Sequence, residues 1–221
     1  MYDKPLSIVV LLSGTGSNFR AILEALKAQS FNAEIKAVVS NKDDAFGLVL
    51  ARKEEIPDIF VDPTRYPDRA SFDQGMIDEI DKHNPDLIIL AGFMRILSDE
   101  FVNHYSGRLI NIHPSLLPNF KGLNTHQRAL DAGHDKHGAT VHFVSNELDG
   151  GPVIAQVEVP VKSDDDAETL RLRVLKQEHI LYPLVTKWFA ERRLKLENDA
   201  VYFDHQKLSS PLLIKPEPVT D

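Results

Sequence analysis

The feature that most constrains this chain is a regular alternation of short apolar runs with longer amphipathic ones. Ile8–Leu12 is continuous and β-branched, the pattern of a strand buried on both faces. Asn18–Ala28 then places Phe19, Ile22, Leu23 and Leu26 at helical spacing. The order repeats. Strands are predicted at Ile35–Val39, Ile59–Val61 and Leu87–Ala91, with helices between them at Phe46–Glu54 and Ser71–His83. A β-α-β-α-β-α-β order predicts a parallel sheet with helices on both faces.

The second half reads differently. A short helix at Asp99–Tyr105, capped by Ser98, precedes a strand at Leu109–Ile112 that stops at His113-Pro114. A turn-rich loop over 114–124 leads to a short helix at Thr125–Ala132. Strands at Ala139–Val144 and Val153–Val161 flank an Asp149-Gly150-Gly151-Pro152 turn, which predicts antiparallel pairing. Asp166–Arg192 reads as a long helix kinked at Pro183. Leu194–Glu197 and Val201–Phe203 around Asn198-Asp199 suggest a terminal hairpin. Residues 209–221 hold three prolines and predict a loose tail. The fold class is therefore α/β: one domain over 1–208, a mostly parallel twisted sheet flanked by helices, with antiparallel additions in the C-terminal half.

Composition narrows the function. The chain has 221 residues and no cysteine, which excludes disulfides, thiolate metal sites and cysteine nucleophiles and suits a reducing compartment. A net charge of −8 argues against a general nucleic-acid or anionic-membrane surface. The apolar runs fall far short of the ~20 residues of a membrane span, and Met1–Pro5 does not begin a signal peptide. The expectation is a cytoplasmic globular protein.

Ser13-Gly14-Thr15-Gly16-Ser17-Asn18 sits between a predicted strand and helix. Glycines allow a tight turn and close backbone approach, and a helix start offers free N–H groups to a phosphate. Phe19 stands where the dinucleotide fingerprint needs its third glycine, and no Walker lysine is present. The loop thus points to a mononucleotide or sugar phosphate. The same residues also suit a plain turn capped by Ser17 or Asn18.

Asn111 and His113 lie two apart on one strand, so both face the same way, roughly 6–7 Å apart. They stand at the carboxyl edge of that strand, where ligands bind in open α/β sheets. A carboxamide can donate to an oxyanion, and an imidazole can donate or transfer a proton. Asp149, in a glycine-rich turn, could reach a ring nitrogen of His113, favour its charged form and fix its orientation. Donor, acid and orienter without a nucleophile suit transfer of an acyl-like group to an outside nucleophile. The plainer reading is a pair of satisfied polar residues at a strand end.

Other candidates weigh less. His134 and His137, with His126 and His142 nearby, have zinc-like spacing, but Gly133 and Gly138 break any helix and no carboxylate ligands accompany them, so no metal is expected. Glu178, in Gln177-Glu178-His179, suits either a solvated charge or a contact to a substrate amine. Ala91–Leu97 follows a strand end and could line a pocket for a flat heterocycle.

Taken together, these segments resemble the folate-dependent phosphoribosylglycinamide formyltransferases. The resemblance runs from about Leu6 to Leu208. It rests on 13–18, on Ser-Asn-Lys-Asp-Asp-Ala-Phe-Gly at 40–47 and on Ala-Gly-Phe-Met-Arg-Ile-Leu at 91–97. Further support comes from Asn-Ile-His-Pro-Ser-Leu-Leu-Pro at 111–118, His-Gly-Ala-Thr-Val-His-Phe-Val at 137–144, Glu-Leu-Asp-Gly-Gly-Pro at 147–152 and Gln-Glu-His at 177–179. It implies a formyltransferase fold, with about 1–107 binding the phosphate and about 108–208 catalytic and folate-binding. It implies formyl transfer from the co-substrate 10-formyltetrahydrofolate to the amine of phosphoribosylglycinamide in de novo purine biosynthesis, in a monomer or homodimer without metal. Asn111, His113 and Asp149 would be the catalytic trio, Gly16, Ser17 and Asn18 the phosphate loop, and Glu178 the contact to the glycinamide end. Arg69, Met94, Arg95, Ile96, Leu97, Ser145, Asn146, Glu147, Leu148 and Asp149 would form the folate side. Thr15 and the loop 119–124 depart from the family's usual forms. A formyltetrahydrofolate hydrolase and a non-catalytic nucleotide-binding module remain as alternatives. The former usually carries an added regulatory domain, and the latter has no use for the trio.

Overall fold

A computed structural model describes residues 4–217. The parallel half comprises β1 (Leu6–Leu12), α1 (Ser17–Lys27), β2 (Ala33–Ser40), α2 (Phe46–Lys53), β3 (Asp58–Phe60), α3 (Arg69–Asp81) and β4 (Leu87–Leu90). Then come α4 (Asp99–His104), β5 (Leu109–His113), α5 (Thr125–Asp131), β6 (Lys136–Phe143), β7 (Val153–Pro160) and α6 (Ala167–Ala190). The chain closes with β8 (Leu194–Glu197), β9 (Ala200–Phe203), β10 (Gln206–Lys207) and β11 (Leu212–Ile214).

Eight strands form one sheet in the order β11-β7-β6-β5-β4-β1-β2-β3. From β3 to β5 all neighbours are parallel; β6 pairs antiparallel with both β5 and β7. The predicted class, α/β with a mostly parallel sheet and antiparallel additions, is the class observed. α6 runs unbroken through Pro183. Asn198 and Asp199, both at positive φ, turn β8 into β9, and Asp204 and His205 repeat the device before β10.

One expectation fails in part. Residues 209–221 do not form a loose tail throughout: Leu212–Ile214 pairs in parallel with Ala155–Val157 as the edge strand β11. The cause is the free edge of β7, whose backbone groups need partners that this apolar triplet supplies. Beyond it, Gln177 on α6 exchanges two hydrogen bonds with the backbone of Glu217, each 3.1 Å. The last four residues lie outside the described ones.

The two faces of the sheet position the site. Ile8, Val10 and Leu12 pack with α1, α2 and α6 on one face. Val9, Leu11, Ile88 and Leu109 pack with α3 and α4 on the other. The second helical layer covers β1 to β5 and ends there. On that face β5 and β6 turn Asn111, His113, Thr140 and His142 outward, and two loops cover them instead of a helix.

Candidate active site

In the β5–β6 ladder Asn111 stands opposite His142, and His113 opposite Thr140. Directly opposed residues share a face, so four polar side chains converge. Thr140 is structural. Its hydroxyl donates to Ser115 O (2.6 Å) and accepts from Leu117 N (3.1 Å), which fixes the start of the loop after His113.

The remaining three residues and Asp149 form a connected cluster. His142 Nδ1 lies 2.8 Å from Phe143 O. A carbonyl only accepts, so Nδ1 carries the proton and Nε2 accepts from Asn111 Nδ2 at 3.2 Å. Burial holds the His142 pKa below the ordinary value, against the opposing effects of the Phe143 carbonyl and the Asp149 charge, which keeps this ring a neutral acceptor. The Asn111 amide is thereby oriented, with its second N–H left over. His113 Nδ1 faces Asp149 Oδ2 at 3.4 Å, and His113 Nε2 faces Phe120 O at 3.0 Å. Each ring nitrogen thus meets an oxygen acceptor. Asp149, itself at φ 47, also accepts from Gly122 N at 2.8 Å. Lys121 pairs with Glu147 at 2.6 Å, so the loop 119–124 is docked onto the turn that carries Asp149.

The glycine loop starts α1 without a side-chain cap. Gly16 is the N-cap of α1 at φ 70, and among the described residues no side chain caps the first-turn amides. The capped turn by Ser17 or Asn18 is therefore not formed. A Cβ on Gly16 would come within 2.8 Å of Gly47 Cα, which is why the position needs glycine. A cavity of about 460 Å³ opens here, lined by Thr15, Ser17, Arg20, Glu24, Phe46 and His179. Asn18 Nδ2 donates to Glu178 Oε2 at 2.8 Å, whereas its buried Oδ1 has no partner among the described residues. Burial raises the Glu178 pKa against the opposing Asn18 hydrogen bond and the Arg171 charge. Glu178 sits one turn before Tyr182, whose hydroxyl bonds Leu90 O and Ile110 O, the neighbours of Ala91 and Asn111. This places it at the same sheet edge as the cluster.

The residues expected on the folate side are spread over two loops and a helix start. Met94 and Ile96 are 67% and 61% exposed, in the loop after β4. Arg95 lies 4.4 Å over the Phe72 ring with its buried Nε unpartnered among the described residues, and Leu97 packs into the α3–α4 core. In the loop after β6, Ser145 Oγ bonds Glu147 O, while Asn146 and Leu148 are exposed. Arg69 opens α3, exposed, and no hydrogen bond or ion pair draws it to the others.

Sequence reasoning missed His142 as a member of the cluster. The signal was present in the alternation Thr140/His142, but it became readable only once the register set it against Asn111. Arg20, Phe46 and His179 were missed as cavity walls, as was Phe120, whose carbonyl holds His113. Half-buried His126 and buried His137 instead pack with ring centroids 5.1 Å apart, and desolvation depresses both to about 4. Among the described residues no group of three or more His, Cys, Asp or Glu is arranged to hold a metal ion.

A formyl-transfer site is the class that this edge and this sheet define. Residues 6–186 match the formyl transferase family, and the chain belongs to it. Phosphoribosylglycinamide formyltransferase of Escherichia coli is 51% identical over 203 residues, 92% of this chain and 96% of that protein. The structure of phosphoribosylglycinamide formyltransferase from Coxiella burnetii has a TM-score of 0.92 at 47% identity, covering 95% of this chain and 99% of its own. A formyltetrahydrofolate deformylase from Pseudomonas syringae shares the fold with a TM-score of 0.83 at 25% identity, covering 91% of this chain but 66% of that one.

Proposed function

We propose that the chain transfers the formyl group of 10-formyltetrahydrofolate to the amine of phosphoribosylglycinamide, giving formylglycinamide ribonucleotide and tetrahydrofolate. The observation that carries the chemistry is the pairing of each donor with its own anchor, Asn111 with His142 and His113 with Asp149. The amine nitrogen attacks the formyl carbon, a C–N bond forms and the carbonyl oxygen becomes an oxyanion. Asn111 Nδ2 and His113 Nε2 donate to that oxygen, the latter exchanging Phe120 O for it. The attacking amine loses a proton and the folate nitrogen gains one, with water as carrier. The bond from carbon to that nitrogen then breaks. Fixed donors aimed at a developing charge supply much of such a rate enhancement.

The open amides of Gly16–Asn18 and the nearby Arg20 suit the ribonucleotide phosphate. Glu178 and the free Oδ1 of Asn18 offer acceptors to the glycinamide end. The loops 92–97 and 145–149, with Arg69, would take the folate. Both substrates are small molecules, and the negative net charge gives no general pull toward nucleic acid or anionic lipid. The absence of cysteine suits the cytoplasm, where we place the reaction.

Incubation with formyl-folate, with and without the ribonucleotide, tests this reading. Tetrahydrofolate release that requires the ribonucleotide is expected. Release without it would make the chain a hydrolase, and no release would leave a binding module.

A further inference from the structure

The order β4-β1-β2 makes the connections leaving β1 and β4 diverge, which opens a crevice at their carboxyl ends. Ser13, the first residue after β1, is buried in the floor of that crevice. Its hydroxyl accepts from Met94 N at 2.8 Å and donates to Asn41 Oδ1 at 2.6 Å, and its backbone N–H donates to Gly92 O at 3.0 Å. Three loops, leaving three adjacent strands, thus meet at one side chain. The far end of the loop after β4 is held elsewhere. Ser98 N donates to the buried Asp73 carboxylate of α3 at 2.5 Å, and Arg95 rests on Phe72. The stretch carrying exposed Met94 and Ile96 is therefore suspended between a fixed point on α3 and a point shared with the glycine loop.

We propose that Ser13 is a positioning residue that couples the two substrate sites, passing the seating of the ribonucleotide phosphate at Gly16–Asn18 to the folate loop at Met94, and the reverse. The inference rests on the assignment of those loops given above. A hydroxyl is required because one atom must accept from an amide and donate to a carboxamide; alanine leaves Met94 N–H and Asn41 Oδ1 without these partners. By linkage the effect is mutual: whatever factor the ribonucleotide adds to folate affinity, folate adds to ribonucleotide affinity.

Titration calorimetry with tetrahydrofolate and phosphoribosylglycinamide, which cannot react because no formyl group is present, measures that factor. The wild-type protein should bind tetrahydrofolate at least about fivefold more tightly when the ribonucleotide is bound, the low end of typical coupling. Ser13→Ala should bring the ratio to within about twofold of unity while each ligand still binds alone, and Ser13→Thr should restore it. Should Ser13→Ala fail to fold, Asn41→Ala removes the acceptor and leaves the serine, and it should also lower the ratio. A wild-type ratio of one, or an unchanged ratio in the folded variants, overturns the proposal. Failure of the loop assignment has a different signature: Gly16→Ala would leave ribonucleotide affinity unchanged.

Discussion

The two halves of the sheet edge are built on opposite principles. Along the parallel half, the proposed binding residues lie on loops that leave β1, β2 and β4, with open amides at Gly16–Asn18 and exposed Met94 and Ile96, joined at their base through Ser13. Along the antiparallel half, the proposed oxyanion donors sit on a strand. Asn111 and His113 are fixed by register, and each is held by a second side chain. Loops suit binding because backbone amides and apolar side chains can adjust around a ligand. Oxyanion donors must already be in place, because a donor that reorganises during the reaction loses its advantage. Under the proposed function, substrate affinity belongs to the first region and the rate of the chemical step to the second.

That division can be broken most sharply at Asn111. Asn111→Ala should lower kcat by about a hundredfold or more, the usual loss for one oxyanion donor, while leaving both KM values nearly unchanged. A change confined to KM would erase the distinction between the regions. Gly16→Ala should act the other way. It forces a side chain into a left-handed conformation at about 1–2 kcal/mol and presses it on Gly47, so the ribonucleotide KM should rise about tenfold with kcat preserved. Steady-state kinetics with each substrate varied in turn reads both effects.

Glu178 sharpens the comparison with a smaller effect on pH dependence. Its folded-state pKa is raised by burial above the ordinary 4.5. The stability linked to this carboxyl is therefore fully present below 4.5 and lost as pH rises through the folded value. Glu178→Gln should raise the urea midpoint at pH 8, with an advantage that fades toward pH 4, and should weaken ribonucleotide binding. Equal midpoints at pH 8 would show that the buried charge is compensated in the native protein.

How much was legible in the sequence follows the same division. The parallel half was read almost element by element because buried strands are continuous apolar runs and their helices show one apolar stripe. Even there the ends shift: the third strand, expected at Ile59–Val61, lies at Asp58–Phe60. Asn111, His113 and Asp149 were legible because polar residues on an apolar strand and in a glycine turn stand out. His142 was not, because its role depends on which strand lies beside it. Phe120 escaped because it acts through a carbonyl, which every residue possesses. The strand at Leu212–Ile214 was hidden by flanking prolines, and only the free edge of β7 explains it.

The central claim is that Asn111 and His113 together hold the oxyanion. It is tested most directly by single-turnover tetrahydrofolate formation in His113→Ala, at saturating concentrations of both substrates, in a protein whose circular dichroism and Tm match the wild type. The account predicts a rate lower by about a hundredfold or more. A rate close to that of the wild type would contradict it.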